Sequence, residues 1–188
     1  HWDFIEEKIN KAKPRDALGN FQGHPLAPIK FLNLFGYTGV ASLFALRAGA
    51  EVTHIDASKI STEWAKENQK VAGLENMPMR IICDDVMKFL EREEKRGNKY
   101  DAIIMDPPKF GRGPKGEVWK IEEMLPKLLT LIQKVLSDKP LFVILTSYAI
   151  DASSLSLGYA LEDTMKNVGG NVGCGELCVL EKSKNRIV

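Results

Sequence analysis

Only three cysteines occur in the 188 residues: Cys83, Cys174 and Cys178. An odd number, with no second pair and no histidine cluster, excludes a disulfide framework and gives no metal-ligand pattern. Buried thiols and no metal are therefore expected. No apolar run reaches membrane-spanning length and no signal-peptide pattern is present, so a soluble, cytoplasmic protein without a membrane partner is expected. Charge of one sign is also missing. The 26 Lys and Arg nearly balance the 25 Asp and Glu, leaving a formal net charge of +1. No global field attracts a polyanion, and nucleic acid would have to be met by a local patch or another domain. What remains, 44% hydrophobic and 27% charged residues, suits one α/β domain with a substantial core.

The chain is organised around Lys30 to Gly39, an apolar strand that stops at Gly36 and turns through Tyr37-Thr38-Gly39 into a helix starting at Val40. A glycine after a strand permits a sharp turn, and the free N–H groups of the next helix face whatever sits there. About twenty residues on, Glu51 to Asp56 is a second apolar strand ending in a carboxylate, the arrangement that holds ribose hydroxyls in dinucleotide folds. The third glycine of G-x-G-x-x-G is absent, which disfavours a pyrophosphate and hence a nicotinamide dehydrogenase. A ligand with a ribose and no phosphate fits better, and S-adenosylmethionine is one. The plainer alternative is that Gly36 and Gly39 are ordinary turn residues and Asp56 a helix cap.

Ahead of this core, residues 1–13 form an amphipathic helix with Trp2, Ile5, Ile9 and Ala12 on one stripe, ended by Pro14. Residues 1–28 read as helix plus linker and 29–188 as the domain itself, in a chain that looks like a piece of a longer protein. After Asp56, a helix capped by Ser58 is expected to bury Ile60, Trp64 and Val71. Met79 to Ile82 is a third strand, followed by Cys83-Asp84-Asp85 and a helix turning Val86, Phe89 and Leu90 inward. Tyr100 to Phe110 is a fourth strand broken by Pro107 and Pro108. The loop Gly111-Arg112-Gly113-Pro114-Lys115-Gly116 precedes a long helix in which Val118 starts the apolar spacing. Leu141 to Tyr148 is a fifth strand. A helix over residues 151–168, capped by Asp151 or Ser153, leads to a sixth strand at 171–181 and the opening of a seventh at Ile187-Val188. Strands alternating with helices give a doubly wound, Rossmann-like α/β sheet of seven strands, the last truncated. Gly36, Asp56, Asp85, Asp106 and Ser147 all fall at the carboxyl ends of strands, where such sheets bind ligands.

Four segments in this order, N-L-F-G-Y-T-G, H-I-D-A-S, C-D-D-V and M-D-P-P-K-F, resemble the class I S-adenosylmethionine-dependent methyltransferases. The branch resembled is the bacterial one that contains the large-subunit ribosomal RNA methyltransferases acting on cytosine carbon 5 and guanine nitrogen 7. The resemblance implies that Phe35, Gly36, Tyr37, Thr38 and Gly39 cradle the methionine part of the cofactor. It implies that Asp56 binds the ribose, with Ala57 and Ser58 beside the adenine. Asp85 would accept from the adenine amine, with Asp84 the competing choice, and Val86 would lie against the ring. Asp106, Pro107 and Pro108 would face the transferred methyl, and Phe110 would stack on the target. Lys109 and Arg112 add cations for an RNA backbone, although a glycine-rich loop also suits any lid. RNA, ribosomal above all, is the implied partner.

One departure bears on chemistry. Methylation of cytosine carbon 5 needs a thiolate that adds to the ring, and the relatives carry a cysteine in the turn after the fifth strand. Here that turn is Thr146-Ser147-Tyr148. Direct transfer to a nucleophilic heteroatom is expected instead, with Ser147 or Tyr148 as a substrate contact. Methylation of a protein or small molecule, and a non-catalytic cofactor-binding module, are the competing readings.

Overall fold

The structure is a computed structural model, and it describes residues 2–12, 28–148 and 152–176 together with the backbone of 180–181 and 186–187. Pro14, Asp151, Cys178 and most of the expected linker lie outside these residues. Two units separate at residue 149, and each is described by itself.

Unit one is built on a parallel sheet in the order β3-β2-β1-β4-β7, with β1 at Lys30–Leu34, β2 at Glu51–Asp56, β3 at Met79–Cys83, β4 at Ala102–Met105 and β7 at Phe142–Leu145. In register, Phe31 pairs with Val52 on one side and with Ala102 on the other. The chain leaves β1 towards β2 and β3, then returns to the far side of β1 as β4. The strand order therefore reverses between β1 and β4, and a crevice opens beyond their carboxyl ends.

Helices cover both faces because each parallel crossover is right-handed. On one face lie α1 (Trp2–Ala12), α2 (Val40–Arg47) and α3 (Lys59–Val71). Ile5 and Ile9 of α1 reach a fully buried cluster with Phe31, Ala45, Leu46, Val52, Ala102 and Ile104. Arg47 clamps α2 to α1 through both carboxylate oxygens of Glu6, at 3.2 and 2.6 Å. The period of two along the strands sends Leu32, Leu34, Ile103 and Met105, all fully buried, to the opposite face. There α4 (Val86–Arg96) buries Val86, Phe89 and Leu90 as expected, and α5 (Ile121–Val135) buries Leu128, Leu129 and Ile132. Lys127–Glu91 and Lys134–Glu94 pairs, each at 2.7 Å, join the two helices at their exposed edge.

Several expectations are corrected. The face that α3 buries is Ser61, Thr62 and Ala65, while Ile60, Trp64 and Val71 are 68%, 55% and 82% exposed. Small side chains let this helix approach closely: a Cβ placed on Gly39 would lie 3.1 Å from the Ala65 Cβ. Val118 is not helical. The segment after Pro108 folds as an antiparallel hairpin of β5 (Phe110–Arg112) and β6 (Val118–Lys120), and α5 begins only at Ile121. Cys83 and Cys174 are exposed rather than buried.

In unit two, α6 (Ser154–Met165) is capped by the Ser153 hydroxyl, which accepts from Ser156 N at 3.2 Å. The expected sixth strand is not formed at 171–176. Instead β8 (Leu180–Glu181) and β9 (Arg186–Ile187) pair antiparallel with each other, and the parallel sheet has five strands among the described residues.

Candidate active site

The turn after β1 is held from three sides. Phe35 and Tyr37 take φ of 56° and 49°, values that non-glycine residues avoid unless neighbouring bonds impose them, and such outliers gather at ligand sites. The imposing bonds are present. Gly36 N donates to Ile55 O at 2.9 Å, Tyr37 N to Asp56 Oδ2 at 2.9 Å, and Asn68 Nδ2 to Thr38 O at 2.9 Å. Gly39, at φ 89°, opens α2 without a side-chain cap, so the helix presents its first N–H groups uncapped.

Gly36 is needed for a second reason. A Cβ there would sit 2.4 Å from His54 Cε1 and 2.5 Å from Nδ1. His54, fully buried on β2, floors the turn within a polar chain: Asn33 Nδ2 donates to Ser42 Oγ at 2.9 Å, and Ser42 Oγ lies 3.0 Å from His54 Nδ1. Ser42 accepts from the amide and keeps both its own proton and a second lone pair for Nδ1, so the contact forms with either neutral tautomer of His54. Burial depresses the His54 pKa to about 4, against the smaller opposing pull of Asp56 and the Tyr37 backbone, so the ring is neutral at pH 7.

At the tip of β2 the two Asp56 oxygens accept from Tyr37 N and, at 2.8 Å, from Ser58 N. Each oxygen keeps a further lone pair, the number needed to accept from two vicinal hydroxyls. Ser58 caps α3 by accepting from Ser61 N. At the tip of β3, Asp84 is spent on the protein: Oδ1 accepts from Asp85 N and Oδ2 pairs with Arg92. Asp85 uses one oxygen to cap α4 at Lys88 N and turns towards the crevice.

At the tip of β4, Thr146 donates its hydroxyl to Asp106 Oδ1, and Trp119 donates its indole N–H to Pro108 O at 2.6 Å. The Trp119 ring also packs on Phe35, with centroids 4.9 Å apart. The hairpin tip is fixed by Glu117, which accepts from Lys115 N at 2.9 Å and pairs with Lys88 of α4. The Lys88 ammonium and the Lys115 N–H hold the Glu117 carboxyl down to about 2.

These parts enclose a cavity of about 390 Å³, a size that suits a small-molecule ligand. Phe35, Tyr37, Asp56, Ala57, Ser58, Asp85 and Val86 line one side. Asp106, Pro108, Arg112, Tyr148, Gly111, Gly113 and Trp119 line the other. Of the residues expected from sequence, Gly36, Thr38 and Gly39 shape the turn without lining the cavity. Pro107 is buried, Lys109 and Phe110 are exposed outside the wall, and Ser147 Oγ is buried without a hydrogen-bond partner among the described residues. Trp119, Glu117 and the Asn33-Ser42-His54 chain were not singled out as site residues. The one available signal for the last was two polar residues inside otherwise apolar strands. Among the described residues no three His, Cys, Asp or Glu gather to hold a metal, and no helix is long and apolar enough to cross a membrane.

Comparison with known proteins agrees with this geometry. Over 149 residues the chain is 31% identical to the ribosomal RNA large subunit methyltransferase K of Neisseria meningitidis serogroup B, covering 77% of this chain and 42% of that protein. It is 39% identical over 82 residues to the ribosomal RNA large subunit methyltransferase I of Aeromonas salmonicida, covering 43% of this chain and 21% of the relative. The chain thus spans less than half the length of these relatives. A solved SAM-dependent methyltransferase from Agrobacterium tumefaciens superposes with a TM-score of 0.79 at 50% identity, covering 88% of this chain and 49% of that one. The magnesium protoporphyrin IX methyltransferase of Synechocystis, 18% identical with a TM-score of 0.55, shares the fold. A family profile described as conserved hypothetical protein 95 matches residues 10–148, a span that holds every residue lining the cavity. The chain belongs to that family and carries the class I S-adenosylmethionine-dependent methyltransferase fold.

Proposed function

We propose that this chain is the catalytic domain of an S-adenosylmethionine-dependent methyltransferase that modifies a base of RNA, ribosomal RNA foremost, by direct transfer to a nucleophilic heteroatom. The observation that carries the reading is that one cavity at the sheet's switch point is lined by Asp56 on one side and by Asp106 and Pro108 on the other. The donor set fits the cofactor. Asp56 would accept from the ribose hydroxyls, the uncapped start of α2 would meet the methionine carboxylate, and Val86 and Ala57 would flank the adenine while Asp85 accepts from its amine. When bound, the cofactor supplies a methyl group on a sulfonium, open to in-line attack.

The protein's share of the reaction is then mostly positioning. The prolines fix the backbone of the motif, and Thr146 orients the Asp106 carboxyl by donating to one oxygen, leaving the other to accept from the nucleophile. Tyr37 and Tyr148, 65% and 59% exposed, line the cavity with Arg112, and Phe110, 53% exposed, opens β5 next to Gly111 of that wall. Stacking surfaces beside a cation suit an unstacked base and its phosphate. No described cysteine lines the cavity, which favours transfer without a covalent adduct.

Tritiated S-adenosylmethionine, incubated with the protein and ribosomal subunits, bulk RNA or protein extract from a strain lacking it, tests the reading. Label in ribosomal RNA at a base nitrogen or oxygen, lost on Asp106→Ala while cofactor binding persists, is expected. Label only in protein would overturn the RNA assignment, and label at cytosine carbon 5 would overturn the direct-transfer mechanism.

A further inference from the structure

The segment Asp106-Pro107-Pro108-Lys109 leaves β4 with four carbonyls and, because two residues are prolines, only two N–H groups. A motif so rich in acceptors presents whichever carbonyls the rest of the protein leaves alone. Two are taken, one by the hairpin and one by the first residue of α5: Pro108 O accepts from Trp119 Nε1 at 2.6 Å, and Lys109 O accepts from Ile121 N at 3.0 Å. The carbonyls of Asp106 and Pro107 accept from no protein donor among the described residues.

Trp119 is suited to this selection. Indole has a single donor and no acceptor, so it can hold a carbonyl without competing for a substrate's protons. Its ring is only 6% exposed and lies against Phe35, the residue at φ 56° that starts the turn after β1. One side chain thus braces the loop after β4 against the loop after β1, two segments that belong to opposite halves of the sheet.

We infer that Trp119 is a positioning residue that withdraws the Pro108 carbonyl and locks the Asp106-Pro107-Pro108 segment against the Phe35 turn, so that this carbonyl does not compete with Asp106 for the substrate's donors. The inference rests on the methyltransferase reading and adds a determinant to it. Trp119→Phe keeps a ring against Phe35 but removes the N–H, leaving Pro108 O free to compete for substrate donors. Because misplacement by about 1 Å can cost on the order of 100-fold in rate, the turnover number should fall roughly 10- to 100-fold.

The test uses the full chain. Wild type and Trp119→Phe are compared for S-adenosylhomocysteine affinity by calorimetry, and for turnover number and KM on ribosomal RNA with tritiated cofactor. A fall in turnover number with affinity and KM held within about threefold supports the inference, since a merely structural role would move binding as well. An unchanged turnover number, or parallel losses of transfer and cofactor affinity, overturns it. A second measurement survives a poorly folding variant. In wild type, the Trp119 indole proton should exchange more slowly than those of Trp2 and Trp64, which are 48% and 55% exposed; equally fast exchange refutes the bond. Wild type that neither binds S-adenosylhomocysteine nor transfers methyl removes the methyltransferase reading itself, and this assignment with it.

Discussion

Replacing Asp56 separates the task its carboxylate performs in the fold from the one proposed for it. Its oxygens accept from Tyr37 N at 2.9 Å and Ser58 N at 2.8 Å, fixing the strained turn, and their remaining lone pairs are assigned to the ribose. In Asp56→Asn one oxygen becomes an amide NH2, so one backbone N–H faces a donor and one ribose hydroxyl loses an ionised acceptor. An unpaired buried donor costs about 1–3 kcal/mol, but Asp56 is half-buried and water replaces part of the bond, so a loss near 1 kcal/mol in stability is expected. A hydrogen bond to a charged group contributes about 1.5–3 kcal/mol, so cofactor affinity should fall about 10- to 150-fold. Asp56→Ala removes both ribose contacts and should weaken binding further. Calorimetry with S-adenosylhomocysteine reads the affinity, and a thermal melt reads the turn. If Asp56→Ala melts early yet binds within about twofold of wild type, the carboxylate holds only the turn and the ribose assignment is wrong.

Three further outcomes are expected from the same geometry. Gly36→Ala drives a Cβ to 2.4 Å from His54 and should lower the melting midpoint by roughly 2–12 °C, with partial recovery in Gly36→Ala/His54→Ser; an unchanged midpoint would contradict the close approach. His54 has a folded pKa lowered from 6.5 to about 4 by burial, so the stability it contributes is present above pH 6.5 and lost as pH falls towards 4. Wild type should lose on the order of 2–4 kcal/mol more than His54→Gln across that window in denaturant titrations, and parallel curves would refute it. Cys83→Ser should leave methyl transfer unchanged, because the exposed Cys83 lies outside the cavity wall; a dead variant would reopen the thiolate mechanism.

The parts legible in the sequence are those where chain chemistry is local. Gly36 and Gly39 mark the turn, and Asp56, Asp85 and Asp106 end apolar strands, so their convergence is set once the sheet is parallel. The features that escaped depend on packing partners. The apolar spacing of Ile60, Trp64 and Val71 pointed to a buried face, whereas α3 is seated by Ser61, Thr62 and Ala65, small enough to admit the turn beneath Gly39. Val118 fell in helical register with α5, yet the glycines around it close a hairpin whose form depends on Glu117 reaching Lys88 on a different helix. A bond between residues 29 apart in sequence leaves no periodic trace. Nothing local in the sequence marks Trp119, whose role shows only once the fold sets the Pro108 carbonyl beside its indole.

Calorimetric titration of the full chain with S-adenosylhomocysteine, repeated with a nicotinamide dinucleotide, tests the central assignment most directly. One-to-one binding of the first in or below the micromolar range, with no heat from the second, is the predicted result. No saturable binding of S-adenosylhomocysteine, or binding of the dinucleotide in its place, would contradict the account.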